Sequence, residues 1–252
     1  MNYFNKNNLI KSSGLISLFL IWFIIYQLKI YNALLIPAPN AVFDIIIKFF
    51  SDINFIYNFL TTFIRIIIAF LVSAILGIFL GLLFGYYKIL NNLTESLIDF
   101  IRSIPGITLF PLFILFFGVG DISRLMVAIF IATPIILINT KYGVIYSNNL
   151  RKNLRKIYKI NWLKMFTQII LPEASPYVFN GIRISLSLTI IIIIATEMML
   201  GTKYGLGQLI ITSQYQFETE VLFAVIILLG TLGFILNLSL NKLETKIFHW
   251  KN

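Results

Sequence analysis

Few residues in this chain could carry covalent chemistry. His249 is the single histidine and there is no cysteine, so disulfides, zinc-finger spacings and thiol catalysis are excluded. No metal-ligand companions stand near His249, and no Ser/His/Asp grouping or paired carboxylates are visible. No G-x-x-x-x-G-K-[ST] occurs, so the loop that cradles nucleotide phosphates is missing and any ATP hydrolysis belongs to another subunit. Gly205-Leu206-Gly207 begins like a dinucleotide fingerprint, but no strand precedes it, and it reads as an outer loop turn. The residues left with chemical potential sit in apolar surroundings. Glu197 lies near the outer end of an apolar run, where a charge costs less than the roughly 2.5–3.5 kcal/mol it costs at mid-bilayer. It reads either as a member of an ion pair inside a bundle or as a gate group. Pro105 and Pro111 interrupt another run, and irregular backbone at membrane depth is tolerated where it faces a cavity. Ser103, Pro105, Pro111 and Glu197 are therefore the candidate lining of a path for a polar solute. Arg102 and Arg183 are expected nearer the inner face, anchored on lipid phosphates.

The elements that must position these residues follow from composition. The chain has 252 residues, 59% of them hydrophobic and 12% charged, with a formal net charge of +10. Soluble domains carry roughly 25% charge, and a fold of this length in water cannot hide so much apolar surface. A spanning helix needs about 20 apolar residues, and by that measure about six spans are expected, near 15–31, 63–86, 98–119, 124–142, 178–200 and 221–240. The first is read as a retained anchor, since no small-residue cleavage site follows it. The Ile190–Ile194 run is β-branched, yet in lipid a lone apolar segment satisfies its backbone only as a helix. The expected class is thus an all-α membrane protein: a tail over residues 1–14, a transmembrane domain over 15–240 and a tail over 241–252. Gly77, Gly81 and Gly85 form a seam that lets backbones approach closely, either inside one subunit or at a dimer interface.

Lysine and arginine crowd one set of loops. Lys6, Lys11, Lys88, Lys141, Arg151, Lys152, Arg155, Lys156, Lys159, Lys164, Lys242, Lys246 and Lys251 fall on one side, against Lys29, Lys48, Arg124 and Lys203 on the other. The bias puts both termini in the cytoplasm. Because the cations sit in short loops between apolar runs, a nucleic-acid partner is rejected. The longest inner connection, from Gly143 to Tyr177, carries an amphipathic stretch over Trp162, Leu163, Met165, Phe166, Ile169 and Ile170 and closes on Leu171-Pro172. It suits either a helix lying on anionic headgroups or a docking element for a cytoplasmic partner.

Here the sequence resembles a known family. Ile36-Pro37-Ala38-Pro39 with Val42, the glycine-bearing stretch from Arg65 to Gly85, and Ile101-Arg102-Ser103-Ile104-Pro105 match it in order. So do Pro111-Leu112, Phe116-Phe117-Gly118-Val119-Gly120, Ala195-Thr196-Glu197-Met198-Met199-Leu200-Gly201 and Gly205-Leu206-Gly207. Over nearly its whole length the chain is similar to the permease subunits of bacterial ABC importers, in the nitrate/sulfonate/taurine branch. The family's cytoplasmic signature is EAA, a Gly four residues on, and a distal I-x-LP. Ile169, Leu171 and Pro172 match the distal part, while Lys159 stands at the Gly and Asn153-Leu154-Arg155 at the EAA.

The resemblance implies a type I importer permease of the bacterial inner membrane that is not itself an enzyme and holds no cofactor. It implies an ABC ATPase subunit, an extracytoplasmic solute-binding protein, a second permease chain as homodimer partner, and the lipid bilayer around them. It also implies an ATPase-coupling segment at about 150–172, with Leu154, Lys159, Trp162, Phe166, Ile169, Leu171 and Pro172 as its contact residues. The implied solute is small and polar, such as nitrate, a sulfonate, taurine or a thiamine-precursor pyrimidine. Two other classes stay open: an ion-coupled carrier, and a membrane scaffold that has lost transport.

Overall fold

Long apolar runs with few interior breakers make long helices. The computed structural model describes residues 3–32, 34–158 and 161–247, without the side chains of residues 3–13, 15, 147–158, 162, 163 and 247. Helix α1 covers Tyr3–Gln27 and the short α2 Pro39–Phe49, with Pro39 in its first turn. Helix α3 spans Ile53–Tyr86 and opens on Asp52, whose side chain accepts from the Asn54 N–H, as an N-cap should. α4 is Lys88–Ser103; a 3₁₀ turn over Gly106–Leu109 leads into α5, Phe110–Phe117. α6 runs unbroken over Asp121–Tyr158, and α7 is the single turn Trp162–Met165. A π-turn over Phe166–Ile170 joins it to α8, Leu171–Met199. α9 covers Leu206–Gln216 and α10 Thr219–Ile247. No strand is present among the described residues.

The expected spans survive with corrections. Among the described residues, four helical stretches are long and apolar enough to cross a bilayer: Ile53–Tyr86, Asp121–Tyr146, Phe166–Met199 and Thr219–Lys246. The third expected span, 98–119, is not one rod. It is the pair α4 and α5, bent by 87° where Pro105 and Gly106 interrupt the ladder; the proline lacks the donor that would continue it. The first expected span ends at Gln27 rather than residue 31, on a helix that begins at Tyr3. The second begins ten residues earlier than expected, at Ile53. The connection from Gly143 to Tyr177 is not a loop: α6 and α8 each extend into it.

Three of these helices form the centre. Glycine lets α3 and α6 touch along their length: a Cβ at Gly77 would stand 2.6 Å from Ile136 Cβ, one at Gly81 2.5 Å from Thr140 Cβ, and one at Gly85 2.7 Å from Val144 Cβ. The pairing 77–136, 81–140, 85–144 makes α3 and α6 parallel, and it places the glycine seam inside one chain. α8 runs antiparallel to α6, with Gly181 against Asn139 and Gly143 against Ala174. Ile66, Phe70, Phe110, Val127, Leu186, Ile193 and Leu232 fill the middle. At the outer end, α2 and α9 close against α3 and α10 through Val42, Phe49, Phe55, Leu206, Ile210 and Val225. α1 leans on this cluster through Trp22, whose Nε1 donates to the Pro37 carbonyl and whose ring stacks on Phe223. Large apolar side chains stay exposed along α1, α5 and α10, among them Ile21, Leu115, Phe116 and Phe234. Lipid is the solvent that accommodates them. Tyr86, Tyr87, Tyr142, Tyr146 and Tyr177 gather at the other end of the bundle, in the manner of an interfacial aromatic belt.

Candidate functional site

The outer end is tied by charge. Arg65, twelve positions into α3, is 5% exposed, and Glu197, near the end of α8, is 0% exposed. Arg65 Nη1 donates to Glu197 Oε1 at 2.6 Å and to the Tyr204 carbonyl at 3.0 Å. Its Nε and Nη2 both donate to Asp121 Oδ1, at 3.0 and 2.6 Å, and Nη2 also reaches Thr202 Oγ1 at 3.1 Å. Arg124 Nη1 joins the same Asp121 oxygen at 3.2 Å, and its Nη2 donates to the Leu200 and Gly201 carbonyls. The four side chains sum to zero formal charge, which lets Arg65, Arg124 and Glu197 be buried while Asp121 stays exposed.

The Glu197 carboxylate is further held by Thr62 Oγ1 at 2.9 Å and by the Gly207 N–H at 2.9 Å. Thr62 accepts in turn from the Leu206 N–H, and Asn58 from the Gly205 N–H. Of the N–H groups that open α9, that of Gly207 meets the anion, as a helix N-terminus favours, and those of Gly205 and Leu206 meet neutral side-chain oxygens. This explains Gly205-Leu206-Gly207: a Cβ at Gly207 would lie 2.6 Å from Glu197 Cβ and 2.5 Å from the Ile194 carbonyl oxygen. Sequence reasoning flagged Glu197 but missed Arg65, Asp121, Arg124 and Thr62. The available signal was Arg65 itself, the one charge inside the apolar run of α3.

A second region opens where α4 bends. Ile101, Arg102, Pro105 and Gly106 face Phe130, Ile131, Pro134 and Ile135 of α6 and Leu188 of α8 across a cavity of about 360 Å³. Pro134 lies inside α6, so the carbonyl one turn earlier loses its N–H partner. Beside the cavity runs a polar line: Asn180 Nδ2 donates to Asn139 Oδ1 at 3.0 Å, and exposed Ser187 lies two turns further along α8. Ser103 and Pro105, both exposed, stand at the bend, with Ser103 Oγ donating to the Asp99 carbonyl at 2.9 Å. Pro111 is exposed in the first turn of α5. Pro105 lines this cavity, Ser103 ends α4 at the same bend without lining it, and Glu197 lies apart from both in the outer knot. Arg183 pairs with Glu244 of α10 and Arg102 lies 3.8 Å from Asp99, so each has a protein partner.

At the inner end, Met165, Ile170, Ala174 and Val144 form a buried apolar hub, with Leu82, Tyr86 and Phe166 packed on it. The hub joins the turn at α7 to α3, α6 and α8. Of the residues expected to contact an ATPase, Phe166, Ile169 and Pro172 are half-buried and Leu171 is exposed at the start of α8. Leu154 lies on α6 and Trp162 opens α7, with side chains outside the description; Lys159 lies outside the described residues.

Comparison with known proteins decides the family. Residues 73–249 match the binding-protein-dependent transport system inner membrane component. The chain belongs to this family of ABC importer permeases. It is 28% identical over 251 residues to a protein of Methanocaldococcus jannaschii named as an ABC transporter permease, covering 98% of this chain and 94% of that one. It is 27% identical to SsuC of Bacillus subtilis, named for aliphatic sulfonates transport, over 67% of this chain and 60% of that protein. CmpB of Synechococcus elongatus, a bicarbonate transport system permease, is 28% identical over 61% of this chain and 55% of its own. A chain of the MetNI methionine ABC transporter in an inward-facing conformation superposes with a TM-score of 0.59 at 19% identity, covering 73% of this chain and 93% of that chain. The permease is thus a multi-pass membrane protein with the type I importer fold, and its Arg65 and Thr62 lie outside the residues that match the family.

Proposed function

We propose that two copies of this permease form the path for a small polar anion in the bacterial inner membrane. A binding protein delivers solute at the Glu197 end, and an ATPase pair works from the hub end. The chain itself performs no catalysis, and both termini are cytoplasmic. The observation that carries this reading is a polar line along α6 and α8, away from the outer knot. Asn139, Asn180 and Ser187 run beside a 360 Å³ cavity that an interrupted helix opens. Each is bonded inside the protein, and a hydrated path between two copies would solvate the bonding capacity left over, which lipid cannot. Pro105 borders that path directly, with Ser103 at the same bend and Pro111 a few residues beyond. Glu197 contributes by holding the outer ends of α3, α6, α8 and α9 in register.

The coupling segment around 150–172 acts through the hub. A partner pressing on α7 displaces Met165 and Phe166, and their packing passes the displacement to Leu82, Val144 and Ala174. Swinging a two-state equilibrium from 1:99 to 99:1 takes about 5.5 kcal/mol of differential binding, a scale that ATP binding and hydrolysis supply. The sulfonate and bicarbonate names of relatives support an anion. The test is ATPase stimulation of the reconstituted complex, with its binding protein, by nitrate, sulfonates, taurine, bicarbonate and a thiamine-precursor pyrimidine. One anion is expected to stimulate. Stimulation by the pyrimidine alone overturns the solute class, and solute uptake driven by an ion gradient without ATP overturns the reading.

A further inference from the structure

Between the outer knot and Tyr146, α6 carries a single charge, Lys141. That residue is 3% exposed. Among the described residues, no hydrogen bond and no carboxylate reaches its ammonium. The ring of exposed Tyr142 lies with its centre 5.6 Å from Nζ. A buried cation without a counterion is costly, so the position calls for an anion that its protein neighbours do not supply.

Depth narrows the choice of anion. Lys141 stands twenty residues past Asp121, about 30 Å along the helix. That is one hydrocarbon thickness. With Asp121 at the outer boundary, Lys141 lies at the opposite one, where lipid phosphates begin. The tyrosines gathered at this end mark the same level.

A groove runs outward from there. Leu76, Leu80 and Phe84 of α3 face Leu97 of α4 and Met126 and Leu137 of α6 across about 350 Å³. Lys141 follows Leu137 by about one turn and about 40° of rotation. From Met126 to Leu137 the groove is about 17 Å long, and one leaflet holds about 15 Å of hydrocarbon. That volume over that length gives a channel about 5 Å across, half the width of a helix with its side chains. It admits one hydrocarbon chain and not a helix of a second copy. Its rims, Leu76 and Leu97, are exposed, as are Phe79 and Leu93 beside them, so it opens to an apolar medium. Ile98, which also lines it, is the one buried residue of α4. α4 therefore stands off its neighbours along the groove.

We infer that one anionic phospholipid of the leaflet at the hub end seats between α3, α4 and α6, its phosphate on Lys141 and an acyl chain in the groove. Basic pockets between spanning helices suit anionic headgroups. The chain in the groove fills the gap behind α4 and props the bend at Pro105. The site needs neither solute nor ATPase, so its failure leaves the permease reading standing, and the reverse holds as well.

The test takes the full-length chain through detergent with equal phosphatidylglycerol and phosphatidylcholine, and reads the retained lipid by native mass spectrometry. Wild type is expected to hold one phosphatidylglycerol and to unfold at a higher temperature with that lipid than with phosphatidylcholine. Lys141→Met is expected to lower the preference for phosphatidylglycerol by about fivefold. Lys141→Arg should keep it, and so should Lys246→Met, which removes an exposed lysine elsewhere. Leu80→Trp fills the groove and is expected to lose both lipids; should it fail to fold, Leu97→Trp at the exposed rim replaces it. Unfolding in detergent alone shows which variants are folded. No preference in wild type, or an unchanged preference in Lys141→Met, overturns the inference. A groove-filling variant that keeps its lipid but loses cross-linking between copies assigns the groove to a second copy and also overturns it.

Discussion

The two ends of the central bundle are held by opposite kinds of force. Outside, Arg65, Asp121, Arg124 and Glu197 are locked by directional bonds, with three of the four buried. Inside, Val144, Met165, Ile170 and Ala174 meet in a buried apolar cluster, next to a π-turn. Buried ionic bonds lose much of their worth when a partner shifts by an ångström, because the charges are then unpaired in a poor solvent. Apolar contact is non-directional and tolerates sliding. An importer that must keep its outer helices in register while its inner turn is pushed would place its forces this way round. The π-turn fits the same picture, since such turns mark places where helix geometry has been adapted.

The largest effect expected from breaking this contrast is Glu197→Leu. It leaves Arg65 without the buried one of its two carboxylate partners, and a loss of about 3–5 kcal/mol is expected in thermal unfolding of the detergent-solubilised chain. Adding Arg65→Met should recover part of the loss, and a double variant worse than the sum of the singles would mean that the knot is not an ionic unit. Met165→Ala at the hub is expected to cost less, about 2–3 kcal/mol, from the cavity it leaves. It should also lower solute-stimulated ATPase activity in the assembled transporter while ATPase binding persists. Gly81→Ala forces a Cβ to within 2.7 Å of the Leu137 carbonyl oxygen, and about 1–3 kcal/mol of overpacking is expected. A neutral result there would show that α3 and α6 separate easily. The smallest effect belongs to Arg183→Ala. Its ion pair with Glu244 joins side chains 43% and 30% exposed, and less than about 1 kcal/mol is expected in unfolding.

How much of this was legible follows from range. The spans, the break at Pro105 and the glycine seam were readable because each is written within a few residues: an apolar length, a missing donor, a period of four. The bend of 87° was not, because a proline announces an interruption but its angle depends on Phe130, Ile131 and Pro134 across the cavity. The knot was hidden for a stronger reason. Arg65 meets Asp121 and Glu197 at separations of 56 and 132 residues, and no local pattern encodes such a meeting. The extension of α6 was obscured by its charge. Arginine and lysine favour helix as well as they favour loops, and the basic run reads as a connection until the backbone is seen to continue.

One consequence of the parallel descent of α3 and α6 is geometric. Neighbours that point the same way need a return journey between them, and here α4, the 3₁₀ turn and α5 make it. Their rises come to about 24 Å for α4 and about 20 Å for the rest, which at near right angles gives a diagonal of about 31 Å. The hydrocarbon layer they must climb is about 30 Å thick. The staircase between the two parallel rods therefore has no spare step. Shortening it by one turn would pull Asp121 away from Arg65 and loosen the outer end from a distance.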